Sequence, residues 1–308
     1  MPDPLARAEE ILRSEVGDRV RVAFPMAPLT TLRVGGAAAL YLEPESESDL
    51  IAAAQALNET GIPHTTVGKG SNLLVSDEGF PGLVLRLGRR YRWVSRDRSH
   101  LTAGAAMPLP ALSGVALRHG LSGLEFGVAI PATVGGAVRM NAGAHDRSMA
   151  EVIERLEIFR LGEARTELVS GDAAGFAYRS SALPKDAIVT AATVSLTVGE
   201  SAKIRALMDE ARAWRRRTQP LAEPNCGSVF KNPTGDHAAR LIEAAGLKGL
   251  RVGGAHVSGK HANFVVADPE ARAADVLALI HEVQDRVEAR DGVRLEPEVH
   301  LIGAFHDA

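Results

Sequence analysis

The sequence predicts an α+β protein of two domains, and three features support this prediction. The chain has 308 residues, whereas a single domain usually has about 150. Short apolar runs typical of buried strands alternate with helical patterns in the first part of the chain. After a long charged helix, the pattern changes to that of a small α+β domain, so we place a domain boundary near residue 200.

The N-terminal part is predicted to contain a strand–helix–strand unit. A strand over 38–44 is followed by Ser46, a residue suited to cap a helix that ends at Gly61. Next to this helix, we predict a helix over 5–16, an extended segment over 23–32 and strands over 64–68 and 83–87.

The later elements are predicted from the periodicity of apolar residues. Strands are expected over 91–95, 100–104, 152–161, 165–169, 187–198, 262–267 and 293–302. Helices are expected over 108–119, 201–217, 236–245 and 270–290. The last helix has an apolar stripe that predicts packing against a sheet, formed by Val276, Leu279, Ile280, Val283 and Val287.

Composition and charge exclude several classes of protein. Lys plus Arg number 35 against 38 Asp plus Glu, a net charge of −3, which does not favour nucleic acid or an anionic membrane as a partner. The single cysteine, Cys226, excludes a disulfide framework, and His256, His261 and His300 lack metal-ligand spacing. The N-terminus does not resemble a signal peptide, and prolines interrupt the uncharged run 101–117. We therefore expect a cytoplasmic protein without a bound metal.

Glycine is concentrated in three windows, 61–88, 114–143 and 227–259, which contain 20 of the 30 glycines. Glycine permits positive φ angles and close approach to the backbone. In the first window, 67–74 suits a nest of backbone N–H groups that binds a phosphate, although a plain turn between strands explains it as well. It matches neither a Walker A loop nor a dinucleotide fingerprint.

The other two windows permit similar alternatives. In the second, Thr133, Gly135 and Gly136 offer hydroxyl and N–H donors to a flat ligand, or form a tight loop packed on the core. In the third, Ser228 precedes Lys231 by three residues, and a nearby cation could activate its hydroxyl. Phe230 stands where a nucleophile elbow needs glycine, which makes a hydrolase that pairs Ser228 with His261 a remote alternative.

Six motifs follow one another in the order TLRVGG (31–36), VGKGSNLL (67–74), GLEFGVAIPATVGGAVRMNAG (123–143), FAYRS (176–180), CGSVFKNP (226–233) and LEPEVHLIG (295–303). Over about residues 22–303, the chain resembles the UDP-N-acetylenolpyruvoylglucosamine reductase (MurB) family in these motifs and in their order. The resemblance implies an FAD-binding region of the vanillyl-alcohol-oxidase (PCMH) type, built from two α+β subdomains and followed by a small α+β substrate domain. It places a lead helix over 1–21, the FAD-binding domain over 22–199 with subdomains 22–87 and 88–199, and the substrate-binding domain over 200–308.

The activity implied by the resemblance is that of a UDP-N-acetylmuramate dehydrogenase, an oxidoreductase of peptidoglycan synthesis that serves cell wall biogenesis, cell shape and cell division. NADPH, the co-substrate, reduces bound FAD. Flavin N5 then gives hydride to the enolpyruvyl ether of UDP-N-acetylglucosamine, the substrate, to form UDP-N-acetylmuramate. We expect a monomer or a weak dimer.

Matching motifs imply the roles of individual residues. Arg179 stabilises negative charge on the reacting substrate, Ser228 donates a proton, and Glu298 is a protonated donor or orients one. By residue type alone, Arg179 also suits a surface ion pair and Glu298 a solvated carboxylate. The residues implied to bind FAD are Gly68, Lys69, Gly70, Ser71, Asn72, Leu73, Leu74, Pro131, Ala132, Thr133, Gly135, Gly136, Ala137, Asn141, Ala142, Gly143, Val189 and Arg215. Tyr178, Lys231 and Asn232 are implied to contact the substrate.

The chain departs from the family pattern at a few positions. Ala132 stands where glycine is usual, so the backbone there must avoid angles open only to glycine. Thr31 replaces a common asparagine, and His300 replaces a common arginine. The run Arg215–Arg217 resembles the shorter branch of the family, which lacks an extra loop over the substrate. Alternatives are another FAD-dependent oxidoreductase of this fold acting on a sugar or alcohol, and a catalytically silent FAD- or nucleotide-binding regulator.

Overall fold

A computed structural model describes residues 3–305, and the chain forms two compact units. Unit 1 contains the chain up to Val22, then Leu40–Lys69 and Gly82–Trp214. Unit 2 contains Ala23–Ala39, Gly70–Pro81 and the chain from Arg215 onward. Two short N-terminal segments therefore belong to the same unit as the C-terminal part. The assignment of domains by cofactor and substrate remains a prediction.

Most of the predicted helices and strands are present with bounds shifted by a few residues, and several short elements were not predicted. The helices are α1 (Pro4–Val16), α2 (Glu47–Thr60), α3 (Leu109–Arg118), α4 (Val134–Arg139), α5 (Ser201–Thr218), α6 (Ala238–Ala244) and α7 (Ala273–Asp291). The strands are β1 (Arg21–Pro25), β2 (Ala37–Leu42), β3 (His64–Thr66), β4 (Leu73–Val75), β5 (Phe80–Leu85), β6 (Val94–Asp97), β7 (His100–Gly104), β8 (Leu121–Ser122), β9 (Gly143–Ala144), β10 (Arg147–Ser148), β11 (Ile153–Arg160), β12 (Arg165–Ser170), β13 (Ala187–Ser195), β14 (Thr197–Val198), β15 (Asn225–Ser228), β16 (Arg251–Val252), β17 (Ala255–Val257), β18 (Phe264–Ala267) and β19 (His300–Ile302).

Unit 1 contains an antiparallel sheet in the order β12-β11-β13-β7-β6. Helix α2 begins and ends as predicted. The Ser46 hydroxyl accepts a hydrogen bond from the Asp49 N–H at 3.3 Å, and Gly61 ends the helix at a φ of 66°. Helix α1 packs on α2. The apolar core is largely aliphatic, which agrees with the low aromatic content of the sequence.

Unit 2 contains an antiparallel sheet in the order β15-β18-β17-β16. Helix α7 packs against β16 and β17, and the predicted apolar stripe is confirmed, because Val276, Leu279, Ile280, Val283 and Val287 are all buried. In the same unit, β4 pairs in parallel with β19 near the C-terminus. Among the described residues, no helix has the length and apolar character needed to cross a membrane.

Three predicted strands differ clearly from the structure. The strand expected over 187–198 is divided at Leu196 into β13 and β14. The strand expected over 91–95 begins only at Val94, because residues 89–91 form a 3-10 turn. In this turn, the Glu45 carboxylate accepts hydrogen bonds from the N–H groups of Arg89 and Arg90 at 3.0 and 2.7 Å. The strand expected over 293–302 is reduced to β19. Pro297 has no N–H to donate, and the Leu295 carbonyl instead accepts the Gln284 side-chain amide at 2.8 Å.

Candidate functional site

The first glycine loop, 67–74, requires glycine at two positions. Gly70 has a φ of +68°, and a side chain there would collide with the Leu29 carbonyl. The Thr31 N–H donates to the Gly70 carbonyl at 3.1 Å. At Gly68, an added Cβ would lie 2.5 Å from the Thr133 hydroxyl. Gly68 and Thr133 come from the first and second glycine windows and belong to unit 1, so the structure brings these two windows together there.

The backbone N–H groups from Gly68 to Asn72 are available to a ligand. Within residues 3–305, none of them donates to a protein acceptor. Successive unused N–H groups form the kind of nest that binds the oxygens of a phosphate or diphosphate. This donor set fits the diphosphate of FAD. The loop is followed by β4, which contains Leu73 and Leu74.

The second glycine loop offers fewer donors than the sequence suggested. The Gly135 N–H donates to the Ala105 carbonyl at 2.9 Å. The Gly136 N–H donates to the Thr133 hydroxyl at 3.3 Å, which caps α4. The N–H groups of Gly135 and Gly136 are thus engaged within the protein, and the Thr133 hydroxyl serves as an acceptor. The loop instead offers a surface of small residues over β13, where the Val189 carbonyl lies 3.5 Å from a Cβ added at Gly135.

The second glycine loop contains further residues that the family motifs imply bind FAD. Ala132 is not among the residues with positive φ, so alanine causes no strain at this departure from the family pattern. Pro131 is partly buried and Ala137 is buried within α4. The Ala142 N–H donates to the Ala137 carbonyl at 2.8 Å, and Gly143 begins β9.

Arg179 lies in a tight turn of unit 1. The N–H of Ala177 and the carbonyl of Ser180 bond at 3.0 Å, and the reciprocal bond is 3.2 Å. Arg179 has a φ of +55°, a left-handed conformation that is unfavourable for any residue with a side chain. Its guanidinium lies over the ring of Tyr178, 5.1 Å from the ring centroid. Tyr178 is 53% exposed, so this turn presents an aromatic ring, whereas Arg179 is partly buried. Strained residues of this kind cluster at functional sites.

Ser228 and Glu298 lie on neighbouring segments of unit 2. Ser228 ends β15, and the Glu298 N–H donates to the carbonyl of the next residue, Val229, at 2.7 Å. The Lys231 N–H in turn donates to the Glu296 carbonyl at 2.9 Å. The two motifs quoted from residues 226–233 and 295–303 therefore run side by side.

The end of the first glycine loop contacts the same part of unit 2. The side-chain amide of Asn72 donates to the Glu298 carbonyl at 3.0 Å, and the His300 N–H donates to the Asn72 carbonyl at 3.0 Å. The Ser71 carbonyl lies 3.8 Å from a Cβ added at Gly227. The structure thus places Ser71 and Asn72 beside the Ser228 strand and the Glu298 backbone, all within unit 2.

Cys226, two residues before Ser228, is a packing residue. It is buried, and its burial, together with the nearby charge of Glu298, raises the pKa of the Cys226 thiol to about 12. The thiolate, which is the nucleophilic form, is therefore scarce at neutral pH. The only cysteine of the chain does not supply the chemistry of this site.

The remaining predicted residues make contacts within unit 2. The Lys231 ammonium pairs with the Glu296 carboxylate at 2.6 Å, and the Asn232 side chain accepts the Ala238 N–H at 3.1 Å. Of the three arginines at the end of α5, only Arg215 is partly buried. Burial lowers the pKa of Arg215, and its Nε donates to Gln219 at 2.8 Å.

The contacts of His261 are those of a residue that supports the local structure. Its Nδ1 accepts the Asn263 N–H at 3.2 Å, and its ring packs edge-on against Phe264, with centroids 4.7 Å apart. Burial lowers the pKa of His261. These contacts do not suit the base of a serine hydrolase, because Nδ1 already accepts a hydrogen bond from the backbone.

One residue that sequence analysis missed is Arg139. Its guanidinium donates to the carbonyls of Leu183 and Pro184 at 3.1 and 2.8 Å. Arg139 lies within the motif of residues 123–143, but the resemblance to the family assigned it no role.

Two family models match the chain. The model described as an FAD binding domain matches residues 38–163. The model described as the C-terminal domain of UDP-N-acetylenolpyruvoylglucosamine reductase matches residues 219–302. The predicted fold class, an α+β chain with a PCMH-type FAD-binding region followed by a second α+β domain, is thereby confirmed.

Named relatives cover nearly the whole chain. UDP-N-acetylenolpyruvoylglucosamine reductase 2 of Symbiobacterium thermophilum is 46% identical over 96% of this chain and 96% of its own length. The reductase of the same name from Synechocystis sp. is 42% identical over 99% of this chain and 97% of its own length. The crystal structure of the Thermus caldophilus enzyme (MurB) is 39% identical, with a TM-score of 0.81 over 92% of this chain and 99% of that one.

Proposed function

Because the chain belongs to the UDP-N-acetylenolpyruvoylglucosamine reductase family, whose members are FAD-dependent enzymes of peptidoglycan precursor synthesis, we propose that it reduces UDP-N-acetylglucosamine enolpyruvate to UDP-N-acetylmuramate at the expense of NADPH. The cytoplasm as its location and a monomeric or weakly dimeric state are part of this proposal. So is the assignment of individual site residues.

The residues that would hold FAD are those of the two glycine loops. The unused N–H groups from Gly68 to Asn72 would bind its diphosphate. The small residues of the second loop, from Ala132 to Gly143, would let the cofactor approach the main chain. When bound, FAD would supply the redox chemistry of hydride transfer between NADPH and the β-carbon of the enol ether.

Three side chains of the protein then have distinct tasks. Addition of hydride at the β-carbon leaves negative charge on the α-carbon and its carboxylate, and the Arg179 guanidinium stabilises that charge. The Ser228 hydroxyl donates a proton to the α-carbon, which completes the addition. Glu298 either supplies this proton through the serine or orients its hydroxyl. Tyr178, Lys231 and Asn232 contact the sugar nucleotide.

The observation that best supports this proposal is the pairing of the Ser228 strand with the Glu298 segment. The 2.7 Å bond from the Glu298 N–H to the Val229 carbonyl keeps the serine and the carboxylate on adjacent segments. Both residues are partly exposed, so a substrate is able to reach them. Two of the three residues to which the family motifs assign catalytic tasks therefore lie on neighbouring backbone segments of unit 2.

A kinetic separation of the two half-reactions tests the proposal. In Ser228→Ala, we expect NADPH to reduce the flavin at an unchanged rate, followed as loss of flavin absorbance in a stopped-flow instrument. Reoxidation by UDP-N-acetylglucosamine enolpyruvate should be at least about 100-fold slower, because a general acid contributes about 10²- to 10⁴-fold. Ser95→Ala, in β6 of unit 1, is the control and should leave both rates unchanged.

Two results would contradict the proposal. If wild-type flavin is reduced by NADPH but is not reoxidised by the enolpyruvyl sugar nucleotide, the proposed substrate is wrong. If Ser228→Ala slows both half-reactions equally, Ser228 is not the proton donor.

A further inference from the structure

The segment that contains Arg179 is hydrogen-bonded to the C-terminal end of α4, the helix of the second glycine loop. The side-chain amide of Asn141 donates to the Ala177 carbonyl at 2.9 Å. The Ser181 hydroxyl donates to the Arg139 carbonyl at 2.9 Å, and the Arg139 guanidinium donates to the carbonyls of Leu183 and Pro184. All these residues belong to unit 1. Residues 177–184, here called the Arg179 segment, are thus attached to α4 at both ends.

Asn141 occupies a backbone position that favours glycine. It follows α4 with a φ of +41°. The Asn141 N–H donates to the Val138 carbonyl at 3.0 Å, and the Ala142 N–H donates to the Ala137 carbonyl at 2.8 Å. This is the hydrogen-bond pattern of a Schellman motif, in which the left-handed residue after the helix is most often glycine. Asparagine is also found at this position, so the backbone explains why Asn141 is tolerated but not what its side-chain amide does.

The Asn141 side chain is occupied by the protein itself. It is 7% exposed. Its amide nitrogen donates to Ala177, and its oxygen accepts the Ala150 N–H at 2.9 Å. A direct contact with FAD, which the family motif implied for this residue, would have to compete with these bonds. The amide instead connects the chain after α4 to the turn that presents Arg179.

We propose that Asn141 is a positioning residue for Arg179, which it holds in register with the FAD-binding loop through the Ala177 carbonyl. This inference rests on the proposed function of Arg179. The left-handed conformation of Arg179 is unfavourable in itself and persists only when its surroundings fix it. The bond from Asn141 fixes the first residue of the turn, two residues before Arg179. A charge displaced by about 1 Å can cost about 100-fold in rate.

The test uses four variants of the full-length FAD enzyme. Asn141→Gly keeps a residue that accepts the positive φ at this position and removes the side-chain amide. Asn141→Asp keeps the acceptor for the Ala150 N–H and places an oxygen against the Ala177 carbonyl. Arg179→Ala and the double variant Asn141→Gly/Arg179→Ala complete a double-mutant cycle. Asn58→Asp is the control, because it removes side-chain amide hydrogen bonds to the carbonyls of Leu161 and Gly162, at 3.2 and 3.4 Å, elsewhere in unit 1.

Three measurements are made on each variant. The first is FAD affinity, from flavin fluorescence. The second is the rate of each half-reaction. The third is amide hydrogen exchange of the peptide covering 177–184 in the FAD-free protein, which does not depend on activity.

We expect both Asn141 variants to bind FAD within about twofold of wild type and to be reduced normally by NADPH. Reoxidation by the substrate should slow by about 100-fold, and exchange of the Arg179 segment should accelerate by about tenfold, as for loss of one hydrogen bond. In the Arg179→Ala background, Asn141→Gly should have no further effect on reoxidation. Asn58→Asp should leave all three measurements unchanged.

Several outcomes would overturn the inference. Loss of FAD affinity in Asn141→Gly would identify Asn141 as a cofactor contact. A full effect of Asn141→Gly in the Arg179→Ala background would show that Asn141 does not act through Arg179. Unchanged exchange of the segment would show that the bond to Ala177 does not hold it. If Arg179→Ala itself leaves reoxidation unchanged, the proposed role of Arg179 fails, and with it the positioning role of Asn141.

Discussion

The left-handed conformation of Arg179 allows a test that separates its strain from its charge. Arg179→Ala and Arg179→Gly both remove the guanidinium and its contact with the Tyr178 ring. They differ in the backbone, because the φ of +55° suits glycine and is unfavourable for alanine. The pair therefore measures the strain at this position with the loss of side-chain contacts held constant.

The size of the difference follows from two opposing terms. The left-handed conformation costs a residue with a side chain about 1–2 kcal/mol of folding stability relative to glycine. Glycine loses about 0.4–1 kcal/mol more conformational entropy on folding than alanine does. We therefore expect the free energy of unfolding to be about 0.5–1 kcal/mol higher for Arg179→Gly than for Arg179→Ala.

Urea unfolding of the FAD-free proteins, followed by circular dichroism, measures this difference. In the loaded enzymes, both variants should reoxidise with substrate about 100- to 1000-fold more slowly than wild type, as for other losses of preorganised charge stabilisation. An Arg179→Ala variant as stable as Arg179→Gly would refute the argument that the turn is strained. Normal reoxidation in the glycine variant would refute the role of the charge.

Three other expectations concern stability and reactivity. Asp49 is buried, which by itself raises its pKa, but hydrogen bonds from Arg19 at 2.6 and 2.7 Å and from the Glu45 N–H hold the pKa below its usual value. The contribution of the ionised Asp49 to stability is therefore present above a pH of about 4 and lost below it. Asp49→Asn should lower the free energy of unfolding by about 1–3 kcal/mol at neutral pH and by less in acid. An equal loss at both pH values would contradict this reasoning. Gly70→Ala should lower the free energy of unfolding by about 3 kcal/mol, because the cost of a positive φ and the cost of a clash with the Leu29 carbonyl add together. Gly259→Ala is the control in the same urea experiment and should change this free energy little, because the space around Gly259 is open. Cys226, with its pKa raised to about 12, should react with a thiol reagent only after unfolding, and rapid labelling of the native protein would contradict its burial.

The elements that sequence analysis predicted best are those specified by neighbouring residues. Ser46 and Gly61 bound α2 because a hydroxyl at the start and a left-handed glycine at the end act within one helical turn. The stripe from Val276 to Val287 predicted the buried face of α7 because its period is that of the helix.

The elements that were missed depend on residues far apart in the chain. The 3-10 turn at 89–91 depends on the Glu45 carboxylate, and no residue near position 90 predicts this turn. The parallel pairing of β4 with β19 joins residues 73–75 to 300–302. Such pairings create no local periodicity, so the sequence gives no indication of which strands will meet.

The site was predicted by its motifs, and its geometry was not. The motifs predicted Ser228 and Glu298 as functional residues, and the structure places them on paired segments. They did not indicate that Arg179 is left-handed or that the Asn141 amide bonds to Ala177. Arginine is rare at positive φ, and asparagine is common in turns of many kinds, so neither residue type reveals such a role by itself.

The concentration of glycine in the first loop has a different cause from the one it suggests. At Gly68 and Gly70, the space that a side chain would fill is taken by Thr133 and by the Leu29 carbonyl, both parts of the protein. Glycine there serves the packing of the chain, and proteins that bind no cofactor contain such contacts as well. What indicates a ligand is the row of N–H groups from Gly68 to Asn72, which has no acceptor among the described residues. Because successive N–H groups of this kind bind the oxygens of a phosphate or diphosphate, this row, rather than the number of glycines, supports the binding of a diphosphate.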